Sequence, residues 1–90
     1  MVISFKNQEK AYENWCEQNI KGFVFNNAGG KTGNVLHLVG CRHLTVPTRK
    51  GTYTTRYIKY CSDNLEAITF NADEISKPYS WRHCKACFKN

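Results

Sequence analysis

This chain carries five cysteines among 90 residues, a density that bears directly on how so small a fold can be stabilised. A domain of this length buries only about 60% of its unfolded surface, so its core is marginal unless disulfides or a metal ion supplement it. An odd number of cysteines cannot close a complete set of intrachain disulfides. Residues 1–10 contain no apolar run typical of a signal peptide, and no stretch is apolar enough to span a membrane. We therefore expect a cytoplasmic protein whose thiols stay reduced and bind metal.

Two pairs of potential ligands lie at spacings that suit a zinc ion. Cys84 and Cys87 form a Cys-x-x-Cys motif, which places two thiolates on a tight turn. His37 and Cys41 form a second pair, because His37 leaves a predicted strand and Cys41 lies just past the turn that follows. One histidine and three cysteines complete a tetrahedral site and leave no open position for a reactive water. The sequence therefore predicts one structural Zn²⁺, with no catalytic role.

Cys61 is the main competitor of His37, since it ends a predicted strand and would give an all-cysteine site. Its other role is that of a thiol in the hydrophobic core, and we favour this role. Cys16 lies beside Trp15 in the apolar stripe of a predicted helix, which also indicates a core thiol. The five cysteines are thereby divided into metal ligands and core residues.

The other two histidines are less suited to bind the zinc ion, and the Cys-x-x-Cys motif is less suited to a redox role. His43 is predicted to lie at the surface, facing DNA, and His83 is too close to Cys84 in sequence for both to point at one ion. A redox Cys-x-x-Cys motif opens a helix within a βαβ unit. Here the motif lies three residues from the last position given, which leaves no room for such a helix.

Hydrophobic periodicity predicts an α+β fold in a single zinc-stapled domain that covers residues 1–90. The expected elements are an N-terminal helix over 7–19, an antiparallel sheet with strands over 23–25, 35–39 and 52–61, a short second helix after Asp63, and a zinc knuckle over 84–87.

Capping residues and apolar positions give these elements their expected ends and faces. Asn7 is the predicted N-cap of the first helix, and its three glutamates share a face away from the apolar stripe. Asp63 is the predicted N-cap of the second helix, with Leu65 and Ile68 facing inward. A strand over 67–70 is the alternative to that helix.

The net charge of +6 is concentrated in the middle of the chain, because no acidic residue occurs between Gln18 and Ser62. Clustered cations favour nucleic acid, since binding releases the counterions condensed on its phosphates. In 52–60, arginine and lysine alternate with tyrosines that can stack on bases. The predicted nucleic-acid-binding residues are Arg42, His43, Arg49, Lys50, Arg56, Tyr57 and Lys59.

Two function classes remain after these observations. The first is a zinc-binding module that binds nucleic acid, with DNA favoured. The alternative is a zinc-stapled protein-interaction module, such as an adaptor, inhibitor or regulator, with an acidic protein partner. We do not expect an enzyme, because no carboxylate pair or serine–histidine motif has a recognisable catalytic arrangement.

The four predicted ligands lie in two short runs, LHLVGCRHL at 36–44 and HCKAC at 83–87. Together these runs resemble the zinc-binding module of Ada-type DNA repair proteins, related forms of which accompany nucleases and restriction-type proteins. The resemblance implies that His37, Cys41, Cys84 and Cys87 bind one zinc and that the partner is DNA. In the repair proteins, however, a cysteine that accepts a methyl group from DNA phosphate stands where this chain has His37. An imidazole lacks thiolate nucleophilicity, so methyl transfer is not expected.

Overall fold

The computed structural model describes residues 1–88, in which two α-helices pack on opposite faces of a five-stranded sheet. The elements are β1 (Ile3–Phe5), α1 (Glu9–Gln18), β2 (Phe23–Asn27), β3 (Asn34–Leu38), a 3₁₀ turn (Pro47–Arg49), β4 (Ile58–Ser62), α2 (Leu65–Ser76) and β5 (Arg82–His83). The strand order is β1-β4-β2-β3-β5, and every neighbouring pair is antiparallel except β3 and β5, which are parallel. The predicted α+β class is confirmed, while β1 and the parallel β5 were not predicted.

Side chains alternate between the two faces of the sheet and divide the core into two clusters. Val24 lies on the face covered by Tyr12 of α1, whereas Leu36 lies on the face covered by Ile68 of α2. His37 follows Leu36 and therefore points toward the α1 side, as the alternation along β3 predicts. The predicted metal ligands thus lie on the same side of the sheet as α1.

The first helix begins later than its capping pattern predicts. Asn7 has a φ of 55°, a left-handed conformation that asparagine tolerates, and Gln8 occupies the N-cap position. The prediction of Asn7 as the N-cap is therefore wrong. Within the apolar stripe Tyr12 is buried, while Trp15 and Cys16 are half-buried and pack against the same cluster.

The second helix runs through the segment for which a strand was the alternative. Its N-cap is Asn64, whose side-chain oxygen accepts the backbone N–H of Ala67 at 2.9 Å, so the predicted cap at Asp63 is wrong by one residue. Ile68 is fully buried as predicted, but Leu65 is 45% exposed and does not face inward. Neither helix within residues 1–88 has the length and apolarity needed to cross a bilayer.

The strand predicted over 52–61 forms only in its second half, as β4. Glu9 of α1 is the reason, because its carboxylate accepts hydrogen bonds from the backbone N–H groups of Tyr53 and Thr54 and from the Thr54 hydroxyl. Lys6 in turn donates to the carbonyls of Thr55 and Arg56. These side chains take the backbone groups that a strand would offer to its neighbour. Residues 52–57 therefore form turns against the start of α1.

Replacing Glu9 with alanine is expected to destabilise the protein by about 1–3 kcal/mol. The substitution removes every acceptor for the N–H of Thr54, a residue with no exposed surface, and a buried donor without a partner carries a desolvation penalty. Urea unfolding monitored by circular dichroism measures the change. Glu17→Ala on the same helix is the matched control, because Glu17 is exposed and its loss should stay within about 0.5 kcal/mol. Equal effects of the two substitutions would refute this role for Glu9.

Candidate metal centre

The two predicted ligand pairs meet because β5 runs parallel to β3. Leu36 is paired with His83 in this ladder, and the N–H of Cys84 donates to the carbonyl of Leu36 at 2.8 Å. The turn that follows β5 is therefore held beside the end of β3, where His37 and Cys41 lie. A long-range backbone contact, with more than forty residues between the motifs, thus assembles the site.

The side chains of His37, Cys41, Cys84 and Cys87 offer ligand atoms that all lie within 4.8 Å of one another, so this cluster could hold a metal ion. The sulfurs of Cys41 and Cys84 are 3.8 Å apart. Two sulfurs bound to one tetrahedral zinc at about 2.3 Å would be separated by roughly 3.8 Å, whereas a disulfide needs about 2.05 Å. All five cysteines are free thiols, and the sulfur spacing matches shared coordination.

His37 contributes a nitrogen that has no hydrogen-bond partner. Its Nδ1 atom is buried, and a buried polar atom without a partner is costly unless something binds it. Burial, and then the positive charge of Lys59, lower the pKa of His37 to about 4, so its ring is neutral near pH 7. Neutral imidazole is the form that coordinates metal, so the residue fits the role of ligand.

The thiols of the cluster influence one another's ionisation. Burial raises the pKa of Cys84, but hydrogen bonds from the backbone of Ala86 and from the thiol of Cys41 outweigh it, so the net pKa is lowered. Burial raises the pKa of Cys87 to about 12, and the nearby sulfur of Cys41 adds to this rise, although the Leu38 N–H donates to Cys87 Sγ at 3.3 Å. Several thiolates this close need a cation to ionise together, and a metal ion supplies that charge.

The competing residues lie outside this cluster. Cys61 has no exposed surface and packs in the core on the α1 side, which agrees with its favoured role as a core thiol and not with an all-cysteine site. Burial raises the pKa of the Cys61 thiol. His83 is exposed, and its ring contacts those of Trp81 and Phe88, at 5.0 and 4.8 Å between centroids.

A cleft of about 220 Å³ lies beside the metal centre, and His37 lines both. This cationic cleft also contains five of the residues predicted to bind nucleic acid, namely His43, Arg49, Arg56, Tyr57 and Lys59. The other two lie elsewhere: Arg42 is exposed next to Cys41, and Lys50 lines a groove along α1.

Lys59, one of the predicted nucleic-acid-binding residues, is buried at the cleft. Strand alternation over 52–60 would put Lys59 and Arg56 on opposite faces, but 52–57 is not a strand, and the two cations line the same cleft. Lys59 is only 6% exposed, and its Nζ donates to Asn26 Oδ1. Burial lowers the pKa of Lys59 to about 8. The alternation of side chains along a strand could have indicated this burial, because Lys59 lies two residues before the core residue Cys61 and therefore faces the same side of the sheet.

The tyrosines of the predicted basic strand have separate roles. Tyr53 packs edge-to-face on Tyr12 in the core, and Tyr60 contacts Phe25 on the opposite face of the sheet. Tyr57 lies at the cleft, where the guanidinium carbon of Arg56 is 5.4 Å from its ring centroid. Tyr57 is therefore the tyrosine of this segment that lines the cleft without a packing role in either core cluster.

No protein-family model matches this chain, and comparisons with curated proteins and with solved structures find no significant match.

Proposed function

We propose that this protein is a zinc-binding module that binds nucleic acid, with DNA as the favoured form. The observation that carries the proposal is the cationic cleft next to the metal cluster. Within the described part of the chain, the cleft is lined by Arg49, Arg56, Lys59 and His43 and by no aspartate or glutamate. A concave surface lined by cations and by no carboxylate attracts phosphates, which are the main source of affinity for nucleic acid.

Zinc is the metal that best suits the donor set of three cysteines and one histidine. Soft thiolates together with imidazole in a closed group of four are typical of structural zinc. Bound zinc would hold the end of β3 to the turn after β5, and thereby fix the wall of the cleft to which His37 belongs. Four protein ligands complete the coordination of a tetrahedral ion, so the metal would have a structural role and the protein a non-catalytic one.

Contacts to nucleic acid would come from two kinds of side chain. Arg49 and Arg56 are exposed at the cleft and carry no carboxylate partner, since the ion pair that residues 1–88 contain is Glu74–Lys77 at the C-terminal end of α2. Each guanidinium group can donate two parallel hydrogen bonds to the oxygens of one phosphate. Tyr57 offers a ring for contact with a base or sugar. The resemblance to Ada-type modules supports DNA over RNA, whereas His37 at the methyl-acceptor position argues against methyl transfer.

Fluorescence anisotropy with labelled duplex and single-stranded DNA tests the proposal. We expect micromolar or tighter binding that weakens about a hundredfold between 50 and 200 mM salt, the loss expected if roughly four phosphates are contacted. The double variant Arg49→Gln/Arg56→Gln should lower the salt slope by about two. Lys31→Gln is the matched control, because Lys31 lies in the loop between β2 and β3 and not at the cleft. Absence of binding at low salt would refute the proposal.

A protein partner is the second candidate function, and one observation favours it. Phe70 is 70% exposed on α2, on the face of the sheet opposite the cleft. An exposed aromatic ring on a basic module suits an acidic protein partner. Such a protein would bind DNA weakly, and without the steep salt dependence described above.

A further inference from the structure

Lys59 places a positive charge at the floor of the cationic cleft. Its side chain is more than nine-tenths buried, and its ammonium donates to one side-chain acceptor, Asn26 Oδ1. An ammonium group has three N–H donors. Burying a charge is costly unless it is paired and hydrogen-bonded, so this arrangement suits an anionic partner that enters the cleft.

The carboxylate whose charge acts on Lys59 does not form an ion pair with its ammonium group. Glu9 is the acidic residue whose charge influences Lys59, and its two oxygens are engaged by Tyr53 and Thr54 on the turn above α1. Glu9 does not line the cleft, and among the described residues no other acidic side chain does. The excess positive charge of the cleft is therefore left for a ligand to neutralise.

The walls of the cleft add further donors for such a ligand. Arg49 and Arg56 are exposed at its sides, with His43 and Tyr57 beside them. A volume of about 220 Å³ corresponds to roughly seven water molecules. This space accepts a phosphate group with part of its sugar, but it is too small for a duplex to enter.

We propose that the cationic cleft binds the terminal phosphate monoester of a nucleic-acid strand, an inference that rests on the proposed function. An internal phosphodiester is flanked by two sugars and carries a single charge, so it can reach the exposed arginines but not the buried ammonium of Lys59. A terminal phosphate enters end-on and carries between one and two negative charges at neutral pH. Lys59 then donates from the floor and the two arginines from the walls, while Tyr57 contacts the terminal nucleoside.

Anisotropy with a single-stranded DNA oligonucleotide of one sequence, labelled internally, tests this inference. Its ends carry a 5′-phosphate, a 3′-phosphate or hydroxyl groups alone, and the salt concentration is constant. A phosphate at one of the two ends should raise the affinity at least about tenfold, because it adds charge-assisted hydrogen bonds that the hydroxyl end lacks. Equal affinities for the three strands would overturn the inference and leave the proposed function in place. Failure of all three to bind would overturn both.

Two cleft variants and a control locate the effect. Lys59→Met keeps the length and apolar stem of the side chain, and should reduce the affinity ratio of phosphate-ended to hydroxyl-ended strand to about one. Arg56→Gln should also reduce this ratio. Because Arg56 is exposed, this substitution should leave the fold intact. It therefore tests the inference even if Lys59→Met fails to fold. Lys50→Met, outside the cleft, should weaken both strands alike and keep their ratio. An unchanged ratio in Arg56→Gln would overturn the assignment.

Free ligands show whether the cleft is selective for nucleic acid. Inorganic phosphate should displace the phosphate-ended strand more readily than the hydroxyl-ended one. A phosphoserine peptide offers the same phosphate without a nucleoside for Tyr57, so it should compete no better than inorganic phosphate. A phosphopeptide that binds more tightly than the phosphate-ended strand would overturn the assignment to nucleic acid.

Discussion

Treatment with a metal chelator is expected to unfold the domain. Structural zinc contributes about 10 kcal/mol or more to the folding of small metal-dependent modules, which matches or exceeds the roughly 5–15 kcal/mol by which natural domains are stable. Here the ion would join the end of β3 to the turn after β5, a strand of only two residues. Without the ion, the Nδ1 atom of His37 remains buried with no partner, and the thiols keep only weak hydrogen bonds to sulfur and to the backbone.

Far-ultraviolet circular dichroism and a thermal melt, before and after treatment with excess chelator, measure this effect. Added Zn²⁺ should restore the folded spectrum, whereas Mg²⁺ should not, because hard cations prefer oxygen ligands. Retention of the folded spectrum and the melting temperature after verified metal removal would contradict the expectation. The fold would then be stable on its hydrophobic core alone.

Substitution of the ligands is expected to remove the metal selectively. Elemental analysis should find one zinc per chain in the wild-type protein, and a large loss in Cys84→Ser and in His37→Ala. The cause is direct, because each substitution takes one donor from the group of four. Cys61→Ser is the matched control, because Cys61 is buried in the core outside that group. It should keep the metal, although burying a hydroxyl there costs about 1–3 kcal/mol of stability.

The opposite pattern would overturn the ligand set. Metal retained in His37→Ala but lost in Cys61→Ser would assign the fourth position to Cys61. Cobalt substitution adds a second readout, since the absorption of Co²⁺ reports its coordination. A tetrahedral thiolate spectrum without a bound water agrees with a structural site, whereas water coordination would reopen the question of catalysis.

Helices and strands with a clear hydrophobic period in the sequence were predicted well. Elements that form through contacts between residues far apart in the sequence were not. Tyr12 and Trp15 at helical spacing and Leu36 and His37 in alternation are local signals, and α1 and β3 formed where these signals lie. β1 and β5 have three and two residues, too few for a period, and exist because they pair with β4 and β3. Their presence follows from tertiary hydrogen bonds, which no local pattern contains.

The segment 52–57 shows most clearly how a distant side chain can override local preference. Its threonines and tyrosines favour a strand. Glu9, more than forty residues away, instead binds the N–H groups of Tyr53 and Thr54 and turns the chain. A sequence pattern marks Glu9 as a favourable residue in the first turn of a helix, but it does not show which backbone groups will come within its reach.

Spacing along the chain was sufficient to identify the candidate metal ligands, because each of the two pairs lies at or beside a short turn, and a turn is a local structure. Hydrophobic periodicity was likewise sufficient to predict the α+β class of the fold. The assembly of the cluster depended on the parallel pairing of β3 with β5. The cleft depended on turns that brought Arg56 round to the buried Lys59. Both arise from contacts between residues far apart in sequence, whose partners are set by the packing of the whole chain and not by any local period.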